Sequence, residues 1–281
     1  MPVEYGWMAR HFSTCFHDET RTLSPQRMPA DGFCRRGRCF FRGNGPAGRV
    51  GRDAGWGCSL RHPFSFAAMA GFFVSFEGGE GCGKSTQIGL LMAYWQGAGR
   101  AVLHVREPGG TAIGEVIRHL LKYHPENGTM TREAELLLFA ASRAQLVREK
   151  ILPFLAEGGI VVADRFLDST TVYQGNGREL PAELVGAVND FAAGGCRPDV
   201  TFLLDLEAAT GLARARARHA GRRDRMEQAE ESFYDTVRQG YLELAAREPG
   251  RFCVLDAGLP PEALHARIVK TLTGRGHGLC S

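Results

Sequence analysis

Residues 78–85 read Gly78-Gly79-Glu80-Gly81-Cys82-Gly83-Lys84-Ser85, which fits the spacing Gly-x-x-x-x-Gly-Lys-Ser/Thr. The apolar run Phe72-Phe73-Val74-Ser75-Phe76 precedes it, and a helical pattern over 84–96 follows. That context matters more than the letters. A strand delivers the chain, glycines turn it tightly, and backbone N–H groups at a helix N-terminus then face a polyphosphate. The reading is a nucleoside triphosphate site with Mg²⁺. Gly78, Gly79, Glu80, Gly81, Cys82, Gly83, Lys84, Ser85 and Thr86 are its candidate residues. Lys84 is expected to reach the β- and γ-phosphates, and Ser85 to ligate the metal.

Working outward, strand and helix signals alternate from Phe72 onward, as in an α/β fold with a parallel sheet. Further strands are expected at 101–105, 159–163, 200–204 and 252–255. Helices are expected at 111–122, 131–157, 181–193, from 207 onward, and at 261–273. Thr131 is a reasonable N-cap, and Pro153 marks a kink or break. Five strands with helices between them suit one doubly wound, five-stranded parallel sheet flanked by helices, over residues 71–281.

Residues 1–70 differ from the rest. They hold ten arginines against five acids, are rich in glycine, and show no sustained helical or strand period. They read as an irregular basic leader, disordered or an artefact of a start site upstream of Met69. A basic tail for nucleic acid is the weaker reading, because the whole chain carries a net charge of only +3. No run of 18 apolar residues suggests a membrane span. The eight cysteines include no Cys-x-x-Cys pair, so reduced thiols are expected in place of a metal site or a disulfide framework.

A phosphate loop needs an acid near the metal, at the end of a neighbouring buried strand. Asp164 and Asp205 both end apolar strands. Asp164 is favoured because Arg165 follows it, placing a metal ligand beside a phosphate clamp. Arg106-Glu107-Pro108-Gly109-Gly110 lies beyond the second strand, at the sheet end where ligands bind. Phe139 and Arg143 stand four apart on one helix face, able to stack on a base and bond its edge. Six arginines, from Arg214 to Arg225, crowd twelve positions after the fourth strand. That placement suits a mobile lid, about 214–227, whose arginines close over a transferring phosphoryl group.

With these residues in hand, the chain resembles thymidylate kinase from about 72 to 273. The resemblance rests on the phosphate loop, Arg106–Gly110 with Gly114-Glu115-Val116-Ile117-Arg118, and Leu138-Phe139-Ala140-Ala141-Ser142-Arg143. It continues through Asp164-Arg165-Phe166, Ser169-Thr170-Thr171-Val172-Tyr173-Gln174-Gly175, Arg197-Pro198-Asp199 and Asp224-Arg225-Met226-Glu227. It implies transfer from ATP to dTMP. Phe139 would stack on thymine and Arg143 bond its O4. Thr170 and Gln174 would line the base and sugar pocket, and Tyr173 would crowd the ribose 2′ position. Arg118 and Arg165 would hold the dTMP phosphate, with Glu107 and Glu80 bordering it. Asp164 and Ser85 would place Mg²⁺. Phe166 stands where Tyr is frequent in the family, and Gly79 where a larger apolar residue is frequent. Acidic Glu80, with no basic residue among the loop's variable positions, resembles the bacterial subtype in which lid arginines supply catalytic charge. The catalytic set implied is Lys84, Arg165, Arg216 and Arg218. A homodimer in the cytoplasm is implied too, with no nucleic-acid or membrane partner. The competing expectations are a kinase for another nucleotide or a nucleoside, and a nucleotide-switched binding protein with no phosphate acceptor.

Overall fold

The five strands are short, five or six residues each. The computed structural model describes residues 71–218 and 230–278, with Arg218 described only as backbone. The leader, Asp224–Glu227 and the rest of 219–229 lie outside the described residues, as do five of the eight cysteines. β1 (Phe72–Glu77) is buried at every position. Its parallel neighbours are β3 (Ile160–Asp164) and β4 (Val200–Asp205), with β2 (Val102–Arg106) and β5 (Phe252–Asp256) at the edges. The order β2-β3-β1-β4-β5 turns back at β1, so the chain winds one way for half the sheet and the other way for the rest. The loop after β1 therefore opens at the switch point, where ligands bind in such sheets.

Helices cover both faces. On one, α1 (Lys84–Gly97) and α9 (Pro261–Gly274) bury Leu91, Trp95, Ile268 and Leu272 against Val74, Phe76 and Phe202. On the other, Phe73, Val161 and Ala163 meet Leu146, Val147, Ile151 and Phe166. The flanking helices are α2 (Ala112–Tyr123), α3 (Arg132–Leu146), α6 (Ala182–Ala193), α7 (Ala208–Arg218) and α8 (Glu231–Arg247). Thr111 and Thr131 cap α2 and α3 through their hydroxyls, accepting from Gly114 and Ala134 N–H.

Two stretches depart from the sequence expectations. The helix expected over 131–157 is not simply kinked at Pro153. It widens into a π-turn at Val147–Ile151 and resumes as α4 (Leu152–Ala156). Proline has no N–H for the carbonyl four residues earlier. The wide turn re-routes the bonding one turn ahead, where Leu152 N–H reaches Val147 O. The second departure is a helical segment after β3. It comprises α5 (Leu167–Thr170) and a π-turn at Thr171–Gly177, where the sequence shows a family motif but no helical period.

Candidate active site

The phosphate loop is built by β1 ending and α1 beginning. Gly83 caps α1 with a positive φ of 93°, a conformation that disfavours a side chain. Lys84, the first residue of α1, turns back over the loop. Its Nζ donates to the carbonyls of Gly78 (3.2 Å) and Gly79 (2.8 Å) and touches Cys82 Sγ (3.5 Å). Ser85 and Thr86 are exposed in the first turn of α1. Gly81 meets Gly211 of α7 backbone to backbone. A Cβ added to Gly81 would run into Gly211 O, and one added to Gly211 into Glu80 O. Above the loop lies a cleft with about 750 Å³ of empty space, lined also by Arg106, Glu107, Arg118, Lys122, Asp164 and Arg165.

The two candidate metal acids separate cleanly. Asp164 pairs in register with Phe76 at the C-terminal end of β3 and lines this cleft. Asp205 is engaged by Arg238 of α8 through two bonds, 2.7 and 3.0 Å. Among the described residues no cluster of three His, Cys, Asp or Glu forms a closed metal cage. One carboxylate and one hydroxyl facing a phosphate cleft suit Mg²⁺, which keeps waters and shares substrate phosphates.

Arg165 is held from several sides. Its backbone is left-handed, with φ 70°. Its guanidinium donates to Gly78 O (3.1 Å) and Ser169 Oγ (3.2 Å), pairs with Glu80 (2.6 Å), and lies 5.1 Å from the centre of the Tyr173 ring. Burial pushes the Glu80 carboxyl up, but Arg165, Lys84 and Lys122 outweigh it and hold it down at about 2. Beneath Arg165 sits Glu77, fully buried. It accepts from Phe166 N–H (2.7 Å), Ser169 OH (2.6 Å) and Tyr241 OH (2.8 Å). Burial, then the charge of Asp168, lifts its carboxyl to about 7. Glu77 and Tyr241 were missed from sequence. The available signal for Glu77 was an acid closing an apolar strand; Tyr241 gave none.

A second cleft, with about 470 Å³ of empty space, opens beside Arg165. Glu80, Glu107, Phe139, Arg143, Arg165, Thr170, Tyr173 and Gln174 all line it, joined by Pro108, Lys122 and Ser169. Arg118 does not; it lines the phosphate cleft and donates to Pro108 O at 2.9 Å. Arg143 is 1% exposed. It grips Glu107 through Nε and Nη2 (2.9 and 2.6 Å) and reaches Asn189 Oδ1 (2.6 Å) and Thr170 Oγ1 (2.8 Å). Gln174 donates to Glu135 at 2.9 Å. The Tyr173 hydroxyl is buried, and burial pushes its phenol up.

A third cleft, about 650 Å³, lies on the far side of the loop. Cys82, Thr86 and Gln87 face Arg214 and the turn 257–261, and Arg214 donates to Ala257 O at 3.1 Å. The turn's position was not legible from sequence, because it lies about 175 residues beyond the loop it adjoins. Arg216 is exposed on α7. The Arg218 side chain and Arg222, Arg223 and Arg225 fall outside the described residues.

A phosphate loop at the switch point, with a further cleft on either side, gives the chain the frame of a P-loop phosphotransferase. Comparison with known proteins narrows this class. The family model described as thymidylate kinase matches residues 76–268. A thymidylate kinase of Geobacter sulfurreducens is 47% identical over 209 residues, 73% of this chain and 98% of the relative. One of Bifidobacterium longum is 48% identical over 202 residues, 71% and 96% of the two chains. The crystal structure of thymidylate kinase from Ehrlichia chaffeensis superposes with a TM-score of 0.57 at 31% identity, covering 72% of this chain and 99% of that one. The chain belongs to the thymidylate kinase family, and is a nucleoside monophosphate kinase.

Proposed function

We propose that the three clefts carry the reaction ATP + dTMP → ADP + dTDP within residues 71–281, with the clefts assigned as follows. The observation that carries this reading is the shared wall. Glu80 and Arg165 line both the phosphate cleft and the cleft containing Phe139 and Arg143. A donor phosphate over the loop and an acceptor phosphate beside Arg165 thus face one another. The third cleft, with Arg214, takes the donor's adenine.

The acceptor oxygen belongs to a phosphate whose second pKa is about 6, so it is largely ionised at neutral pH and needs no general base. Alignment and charge neutralisation remain to be supplied. Lys84 leaves its loop carbonyls for the donor phosphates. Arg118 and Arg165 hold the acceptor in line, and Arg216 and Arg218 bring charge from the lid. Ser85 and Asp164 would hold Mg²⁺, which would supply charge to neutralise the donor oxygens. Phe139 stacks on the base. Arg143, with Glu107 and Thr170 fixing its plane, presents its edge to O4. Gln174 lines the pocket, and Tyr173 closes it against a 2′-hydroxyl.

Exposed apolar residues on three helices that pack side by side support a homodimer. They are Ile113 and Val116 of α2, Leu137 of α3, and Leu184 and Phe191 of α6. No described helix is long and apolar enough to cross a membrane. The reading places the enzyme in the cytoplasm. The decisive experiment is a coupled assay with ATP and Mg²⁺ against dTMP, dUMP, dCMP, GMP and thymidine. Fastest turnover with dTMP supports the reading. Turnover with thymidine in place of dTMP, or ATP binding with no acceptor, overturns it.

A further inference from the structure

We infer that Lys122 is an additional ligand of the acceptor nucleotide's 5′-phosphate. The inference rests on the assignment of the Phe139–Arg143 cleft to that nucleotide. Lys122 lies in the last turn of α2, four residues beyond Arg118, so the two share a face. Both line the phosphate cleft. Only Lys122 of the two also lines the acceptor cleft, alongside Glu80, Glu107 and Arg165. It therefore stands at the junction where one nucleotide's phosphate meets the other's.

Charge supports the same placement. Lys122 lines both clefts together with Glu80 and Arg165, and its charge helps hold the Glu80 carboxyl down. Arg165 is already paired to Glu80 at 2.6 Å, and Arg143 to Glu107 at 2.6 Å. An acceptor phosphate entering this corner carries close to two negative charges and meets Glu80 and Glu107 as well as the arginines. A further ammonium offsets that repulsion. Lysine suits this position because it is a compact point charge on a flexible stem, able to follow the phosphate without a fixed fork geometry.

The test compares Lys122→Met and Lys122→Arg with the wild-type enzyme. Kinetics are measured with ATP and dTMP, and equilibrium binding with dTMP and with thymidine, which shares the base and sugar but lacks the phosphate. Lys122→Met is expected to raise the KM for dTMP and weaken dTMP binding by about tenfold. The KM for ATP and the affinity for thymidine should stay within about twofold of wild type, and Lys122→Arg should recover most of the loss. Thymidine and dTMP weakened equally would make Lys122 a structural support of the cleft and overturn the inference. An unchanged KM for dTMP would overturn it too. Failure of the wild-type enzyme to phosphorylate dTMP would instead overturn the functional reading beneath it.

Discussion

Arg143 shows how much a residue can mean beyond the role its spacing suggests. Its i, i+4 relation to Phe139 was legible in the sequence and places both in one cleft. Its burial was not legible, because the carboxylate that makes burial tolerable comes from Glu107, 36 residues earlier. Substituting Arg143 by Ala removes more than a base contact. It leaves Glu107 buried and unpaired, a loss of about 3–5 kcal/mol in a buried ion pair. We expect Arg143→Ala to lower the urea midpoint of unfolding markedly as well as weaken dTMP binding. Arg143→Lys should fail to restore either, since an ammonium lacks the planar fork that bonds Glu107 twice while also reaching Asn189 and Thr170. A variant of wild-type stability would show that Glu107 finds another partner.

At the scale of elements, the central strands were readable because they are short apolar runs, and α2 and α3 because Thr111 and Thr131 cap them. The π-turns at Val147–Ile151 and Thr171–Gly177 were not readable. They depend on one extra residue per turn, and a period of 3.6 does not reveal it. Their consequence is local aim: Tyr173 and Gln174 sit on the second one. The contact between the loop and α7 was equally hidden, since it joins two glycines 130 positions apart. Gly211→Ala pushes a methyl into the Glu80 carbonyl. It should cost about 1–3 kcal/mol of stability through overpacking. The KM for ATP should rise more than that for dTMP, because the displaced segment is the loop. Thermal melts and a two-substrate kinetic grid measure both.

For the whole molecule, the parallel α/β class and the loop's place after its first strand were legible in the alternating pattern, but the strand order β2-β3-β1-β4-β5 was not. Nor did the pattern reveal the polar floor under the site, and that floor sets a pH response. Glu77 titrates at about 7 in the folded protein against 4.5 ordinarily. Between these values the unfolded chain gives up this proton first, so the stability contribution is intact below pH 4.5 and is lost as pH rises through 7. Glu80 has the opposite sign. Held at about 2, its contribution is present above 4.5 and is lost as pH falls toward 2. Replacing Glu77 by Gln should flatten the decline of the denaturation midpoint between pH 4.5 and 7. It should leave the acid limb unchanged. An unchanged slope in Glu77→Gln would assign the neutral limb to another group.

The setting of Arg165 has a consequence for how this enzyme can change over generations. Ser169 and Tyr241 each bond Glu77 and lie 2.8 Å from one another, while the arginine they support is also tied to Gly78 and Glu80. Such a mesh is epistatic: the first loss does most of the damage, and the second finds little left to break. The double variant Ser169→Ala/Tyr241→Phe should therefore cost less activity than the two single losses combined. A lineage drifting through this corner meets a steep first step and a shallow second, which favours paired replacement over gradual wear.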